Sequence, residues 1–229
     1  MKLIGSVDEN TIKLDTEENY LPGLSVNFRG QGNKLVIGRN FRCSRLEVNF
    51  FNDNSTLFIG ENVVLAGSLN FKGRNTQMSV GTGTKCNSTL FANLGEDDDK
   101  ISIGENCLFA QVKFRTSDSH KIMDIGTGAR INKSQDIILE DKVWITEDTL
   151  VKGGAYIGSG TVVGAKSFVS KELKKNCIYA GAPVRLIREN IHWEDLEKIE
   201  ANKLNIDGIF ISQDYMRIYH HGDTLSHLL

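Results

Sequence analysis

Between Met1 and Ile191 the chain holds a single histidine, His120, in the run Thr116-Ser117-Asp118-Ser119-His120. An imidazole is largely neutral near pH 7 and can take up the proton of a hydroxyl as a new bond forms. Asp118 stands two residues earlier. In an extended segment such residues face the same way, so its carboxylate would hold the second ring nitrogen in the useful tautomer. The same carboxylate could instead cap the turn through its own backbone, and His120 could be a solvated loop residue. Ser117 and Ser119 read as turn residues. Trp144, in Lys142-Val143-Trp144-Ile145, precedes an inward position and so faces out, where a large aromatic needs something to cover it. Gly164-Ala165-Lys166 reads as a turn with lightly obstructed backbone amides. Lys166 is either a cation for phosphate or a solvated lysine.

The elements that must hold these residues follow a beat of six. Leu139, Ile145, Val151, Ile157, Val163 and Val169 stand at every sixth position. Four positions after each of the first five come Val143, Thr149, Ala155, Thr161 and Ser167, all small or β-branched. A helix repeats about every 3.6 residues and a plain strand alternates, so neither fits. A solenoid with flat six-residue sides does, each side turning one large and one small residue inward. Its turns form ledges of backbone amides on which a long, phosphate-tailed molecule can lie. Earlier, Ile37-Gly38, Ile59-Gly60, Val80-Gly81 and Ile103-Gly104 recur 22, 21 and 23 residues apart, so those coils carry extra corner residues. A β-sandwich is the rival architecture, but its strands do not lock to this register.

Residues 1–26 read as an irregular lead. In the first coils, Asn27, Asn33, Asn40, Asn49, Asn52, Asn54 and Asn62 read as corner residues, because asparagine tolerates the left-handed turn conformation. Gly95 to Lys100, with Asp97-Asp98-Asp99, reads as a solvated loop rather than a metal site. Residues 116–136 break the beat, and an excursion from a regular scaffold is where function concentrates. A short helix is expected over Glu194 to Lys203, within a tail whose expected role is to cap a coil end that would otherwise expose an open sheet edge.

Composition narrows the classes. The 229 residues include only two prolines but 22 glycines, which suits many tight turns. A net charge of −2 gives no reason to expect nucleic acid. No apolar run approaches the roughly 20 residues of a membrane span, and no signal-peptide core follows Met1, so a cytoplasmic protein is expected. Of the four cysteines, Cys43, Cys86 and Cys107 fall on inward positions and read as small hydrophobes. No Cys/His spacing suggests a metal.

The beat, Thr116 to His120, the Lys142 to Ile145 step and the ending Tyr179-Ala180-Gly181-Ala182-Pro183, in that order, resemble the hexapeptide-repeat acyltransferases. The nearest subgroup is the bacterial O-acetyltransferases of capsular and other surface polysaccharides. The resemblance covers about residues 27–193. It implies an all-β solenoid, a left-handed parallel β-helix over 27–183 with an excursion loop at 116–136, followed by a C-terminal tail over 184–229. It implies a homotrimer with acetyl-CoA bound between subunits and a carbohydrate acceptor; the cysteine and histidine spacing adds that no metal is expected. By resemblance His120 is the general base, helped by Asp118, and Trp144 lines the site or packs at the trimer interface. Ser170 and Lys171 stand where relatives have a Thr-Lys pair contacting CoA. Arg185, two after Pro183, stands where relatives place an arginine near the nucleotide, and Arg188 adds a second cation. Asn93 resembles an active-site asparagine of sugar acetyltransferases, or is another corner residue. The chain departs from relatives at Thr146, where a glycine is usual; its Cβ narrows the groove or its hydroxyl contacts the cofactor. It also reads Gly181-Ala182-Pro183-Val184 where Gly-Asn-Pro-Ala is common.

Acetyl transfer to a sugar hydroxyl is therefore the expected reaction, with N-acetylation of an amino sugar or nucleotide sugar as the nearest rival. A solenoid carbonic anhydrase needs several histidines around zinc. A glycan-binding solenoid without activity would not need a histidine in the excursion.

Overall fold

In the computed structural model, which describes residues 1–15 and 19–195, the chain winds into a three-sided coil. Its three sheets have eight, eight and six strands, all parallel except the last strand of the third. The first face runs from Lys2–Gly5 through Leu24–Phe28, Leu46–Phe50, Gly67–Phe71, Leu90–Leu94, Val112–Arg115 and Thr149–Lys152 to Phe168–Val169. The second runs from Thr11–Leu14 to Glu172–Leu173. The third begins as single bridges joining Tyr20, Arg42, Val64 and Lys85, and continues through Leu108–Phe109, Trp144–Ile145, Val162–Val163 and Cys177–Ala180.

Alternation within each strand separates core from surface. In Leu24–Phe28 the apolar residues are buried and Ser25 and Asn27 are not. Parallel register then stacks like on like. Phe28, Phe50 and Phe71 pair in sequence, with ring centroids 5.1 and 4.6 Å apart. The six-residue series fills the interior as expected, with Leu139 the least buried of its large members at 2% exposure. All four cysteines are buried and free.

Corners need a left-handed residue, and from the second coil onward one recurs between the second and third faces, as glycine at Gly83 and Gly160. Asn40, Asn62, Asn106 and Asn176 fill this place at φ 53 to 57, and Lys142 does so at φ 55. Asn54 and Asn75 do the same between the first and second faces. Asn27 and Asn49 are not corner residues; they lie within first-face strands, in register with each other and with Asn70.

The first coil begins earlier than expected. Residues 1–26 are not an irregular lead: Lys2–Gly5 pairs with Ser25 to Phe28, and Thr11–Leu14 pairs with Lys34–Ile37. An end coil has a neighbour on one side only, and Lys2–Gly5 is exposed throughout, so no buried periodicity marks it. The tail also starts with structure, because Arg185–Glu189 returns antiparallel along Cys177–Ala180. The helix expected over Glu194 to Lys203 lies almost wholly outside the described residues. His192 to Asp195 are the described part of a second unit. No described helix is long and apolar enough to cross a membrane.

Candidate active site

The excursion leaves the first face at Arg115 and rejoins the second face at Ile137. Its root is tied to the coil below. The Thr116 hydroxyl donates to buried Asp99 at 2.5 Å, and the Glu96 N–H donates to the same carboxylate at 2.8 Å. The acidic run before it is therefore an ordered corner. Asp97 accepts the Arg74 N–H at 2.8 Å and Asp98 accepts from Asn75 at 3.1 Å. Asn93, beneath the loop, is a strand residue at 2% exposure in register with Asn70 and Arg115. Its Oδ1 is buried without a hydrogen-bond partner.

His120 is exposed on this loop. Asp118 has a different partner from the expected one: its carboxylate pairs with the Lys152 ammonium. That contact holds the Asp118 carboxyl below the usual carboxylate range. The reason lies in Ser119, which is left-handed at φ 68. The segment is not extended, so the rule that residues two apart share a face does not apply. A cavity of about 350 Å³ opens beside the loop, lined by Ser117, Asp118, Arg130, Asn132 and Lys152 among others.

A second group gathers at the corner between the third and first faces. Trp144 is half-buried on the third face, in register between Leu108 and Val162. Thr146 begins the corner, and its hydroxyl donates to the Val163 carbonyl at 2.8 Å. One coil on, Gly164 is buried and its N–H donates to the Tyr179 carbonyl at 2.8 Å. A Cβ there would stand 2.9 Å from the Ala180 Cβ, so coil stacking is what requires glycine. The Lys166 N–H donates to the Glu147 carbonyl at 2.9 Å. Between them Ala165 is an exposed residue, and its N–H makes no backbone hydrogen bond among the described residues. The next coil places Gly181 over Ser167 and Phe168, through a 3.0 Å bond from the Phe168 N–H to the Gly181 carbonyl. The Ala182–Pro183 peptide is cis. Arg185 pairs with Ala180, and Arg188 with Ile178 in the column above Trp144 and Val162.

The expected residues thus fall into two groups. Trp144, Thr146, Gly164, Ala165, Lys166, Pro183, Arg185 and Arg188 share one corner and the adjoining third face. His120 and Asp118 lie across the first face, whose strand Thr149–Lys152 spans about 10–13 Å at ~3.3 Å per residue. Ser170 and Lys171 belong to this far edge, since they follow Phe168–Val169. Sequence reasoning missed Lys152, Arg130 and Glu96. Lys152 was within reach, because it follows inward Val151 and so faces out beside the excursion.

Three of the thiols are disfavoured as thiolates. Burial pushes Cys43 and Cys86 up to about 11 and Cys107 up to about 12, which keeps them protonated. Among the described residues no group of three or more His, Cys, Asp or Glu side chains gathers to hold a metal ion.

No protein-family model matches the chain. A polysialic acid O-acetyltransferase of Neisseria meningitidis is 31% identical to it over 189 residues, covering 80% of this chain and 85% of that protein. The chain belongs to the hexapeptide-repeat acetyltransferases. A polysialic acid O-acetyltransferase of Escherichia coli O1:K1 / APEC is 34% identical over 145 residues, covering 62% of this chain and 43% of the relative, so the match spans less than half of that relative's length. The crystallographic structure of the polysialic acid O-acetyltransferase OatWY matches with a TM-score of 0.75 at 26% identity, over 94% of this chain and 96% of that one. Like the hexapeptide-repeat acetyltransferases it resembles, the chain is a left-handed β-helix, the exception to the usual right-handed crossover.

Proposed function

We propose that this protein transfers the acetyl group of acetyl-CoA to a hydroxyl of a sialic-acid-containing capsular or surface polysaccharide. The observation that carries the reading is the 31% identity to a polysialic acid O-acetyltransferase across 80% of this chain and 85% of the relative. The corner group fits the donor. The amide of exposed Ala165 suits a pantetheine carbonyl, Lys166 and Arg185 suit phosphates, and neither cation has an ion-pair partner among the described residues.

In this reading the His120 imidazole takes the acceptor's hydroxyl proton as its oxygen attacks the thioester carbonyl carbon. A backbone N–H stabilises the oxyanion. Collapse breaks the C–S bond, and the proton returns from the imidazolium to the departing CoA sulfur. Lys152 and Asp118 neutralise each other beside the base. Within one chain, a full face separates His120 from the donor corner, which favours a homotrimer whose neighbouring subunits complete each site. The β-helix over 27–183 is the catalytic domain in this proposal, and the expected cytoplasmic address goes with the use of acetyl-CoA.

The test is release of free CoA thiol from acetyl-CoA with polysialic acid, a neutral galactoside or an amino sugar. The expected result is release with polysialic acid, and an acetyl group on the product that mild base removes. A base-stable acetyl group would mean N-acetylation. Thiol release no faster than without acceptor would mean a glycan-binding solenoid.

A further inference from the structure

We infer that Asn132 is a positioning residue for His120: its side-chain amide clasps the backbone on both sides of Lys121 and so sets where the imidazole stands. Asn132 Nδ2 donates to the His120 carbonyl at 2.7 Å, and Oδ1 accepts the Ile122 N–H at 2.7 Å. This donor–acceptor pair imitates what a neighbouring strand would supply, at a place where His120 belongs to no strand. The clasp is itself anchored. Arg130 donates through Nε to Asn132 Oδ1 at 3.3 Å and through Nη2 to the Asn132 carbonyl at 3.0 Å. The same guanidinium forks onto Glu96 with bonds of 2.6 and 2.5 Å. Glu96 lies at a corner of the preceding coil, where its N–H is bonded to Asp99.

A line of contacts therefore runs from the rigid coil through Glu96, Arg130 and Asn132 to the loop residue that carries the imidazole. His120 needs such a hold because its own side chain is exposed and is not fixed by burial. Asparagine is suited to the place because one short side chain offers a donor and an acceptor together; aspartate has no donor and would set a charge against the His120 carbonyl.

The inference rests on His120 as the base, and its test separates the two. Asn132→Asp and Asn132→Ala are assayed in the full chain with acetyl-CoA and polysialic acid, beside His120→Ala and the double variant His120→Ala/Asn132→Asp. A displaced base is expected to lower kcat roughly 100-fold, with KM for acetyl-CoA and Tm near the parent values. The double variant is expected to be no slower than His120→Ala, because nothing remains to be positioned. Parent-level kcat in both Asn132 variants, or a double variant whose loss is the product of the single losses, would overturn the inference while the base assignment stands. Full turnover by His120→Ala would remove the base assignment, and the inference with it.

Discussion

The coils before the excursion and those after it share one interior but differ at their corners. Register steps along the first face are 22, 21, 23 and 22 residues up to Val112, and 18 from Leu150 to Phe168. The surplus sits between the first and second faces. There, Asn33, Ser55, Thr76 and Asp99 are buried polar residues at successive levels, linked by bonds such as the 2.7 Å contact between the Ser55 and Thr76 hydroxyls. At Asp99 this column meets Thr116, and the chain leaves the coil. Later coils have no such surplus at that corner; Gly164-Ala165-Lys166 and Gly181-Ala182-Pro183 lie together at a different one, between the third and first faces. The early coils carry a buried polar column at one corner, and the later ones close that corner in fewer residues.

If that division holds, changes on the two sides should fail in different ways. The largest effect is expected for His120→Ala, a loss in kcat of about 100-fold to 10,000-fold, with an unchanged melting transition. Phe50→Ala, in the middle of the phenylalanine stack, should cost about 3–5 kcal/mol of stability in denaturant titration, while kcat per folded molecule stays the same. A kinetic defect in Phe50→Ala would break the comparison. Lys166→Ala with Arg185→Ala should raise KM for acetyl-CoA about 10-fold, as lost charge-assisted bonds do, and leave kcat and Tm in place. The smallest effect concerns acid. Arg130 holds the Glu96 carboxyl below the usual carboxylate range, so the fork's contribution is present above the ordinary glutamate pKa and lost only as pH falls through the lowered value. Hydrogen exchange at the Ile122 N–H should therefore be constant from about pH 5 to 8 in its protection factor, and protection should fall only below about pH 4.

The regular half of the fold was legible because nothing interrupts it: from Leu139 to Val169 each inward residue falls on the beat and is buried. The first coil was not, because Lys2–Gly5 buries no side and periodicity reports burial rather than hydrogen bonding. Asn27 and Asn49 misled for a related reason, since asparagine serves both as a left-handed corner and as a member of a side-chain ladder. Asn49 Nδ2 donates to Asn70 Oδ1 at 3.2 Å. At the site, His120 stood out by rarity and by its place off the beat. Its surroundings did not, because Glu96, Arg130 and Asn132 meet only after the loop folds back, with the Ile131 N–H bonded to the Ile122 carbonyl at 2.9 Å. No local spacing encodes that return.

The reversed strand Arg185–Glu189 also bears on how the molecule ends. A column of identical rungs invites a second molecule to continue it, because each open rung offers the next the same row of amides and carbonyls. On the third face the last rung is instead occupied by a segment running the other way, exposed along its length and bearing Arg185, Arg188 and Glu189. An incoming rung of the same kind would meet a strand of opposite polarity with a charged rim, which disfavours parallel continuation of the coil on that face.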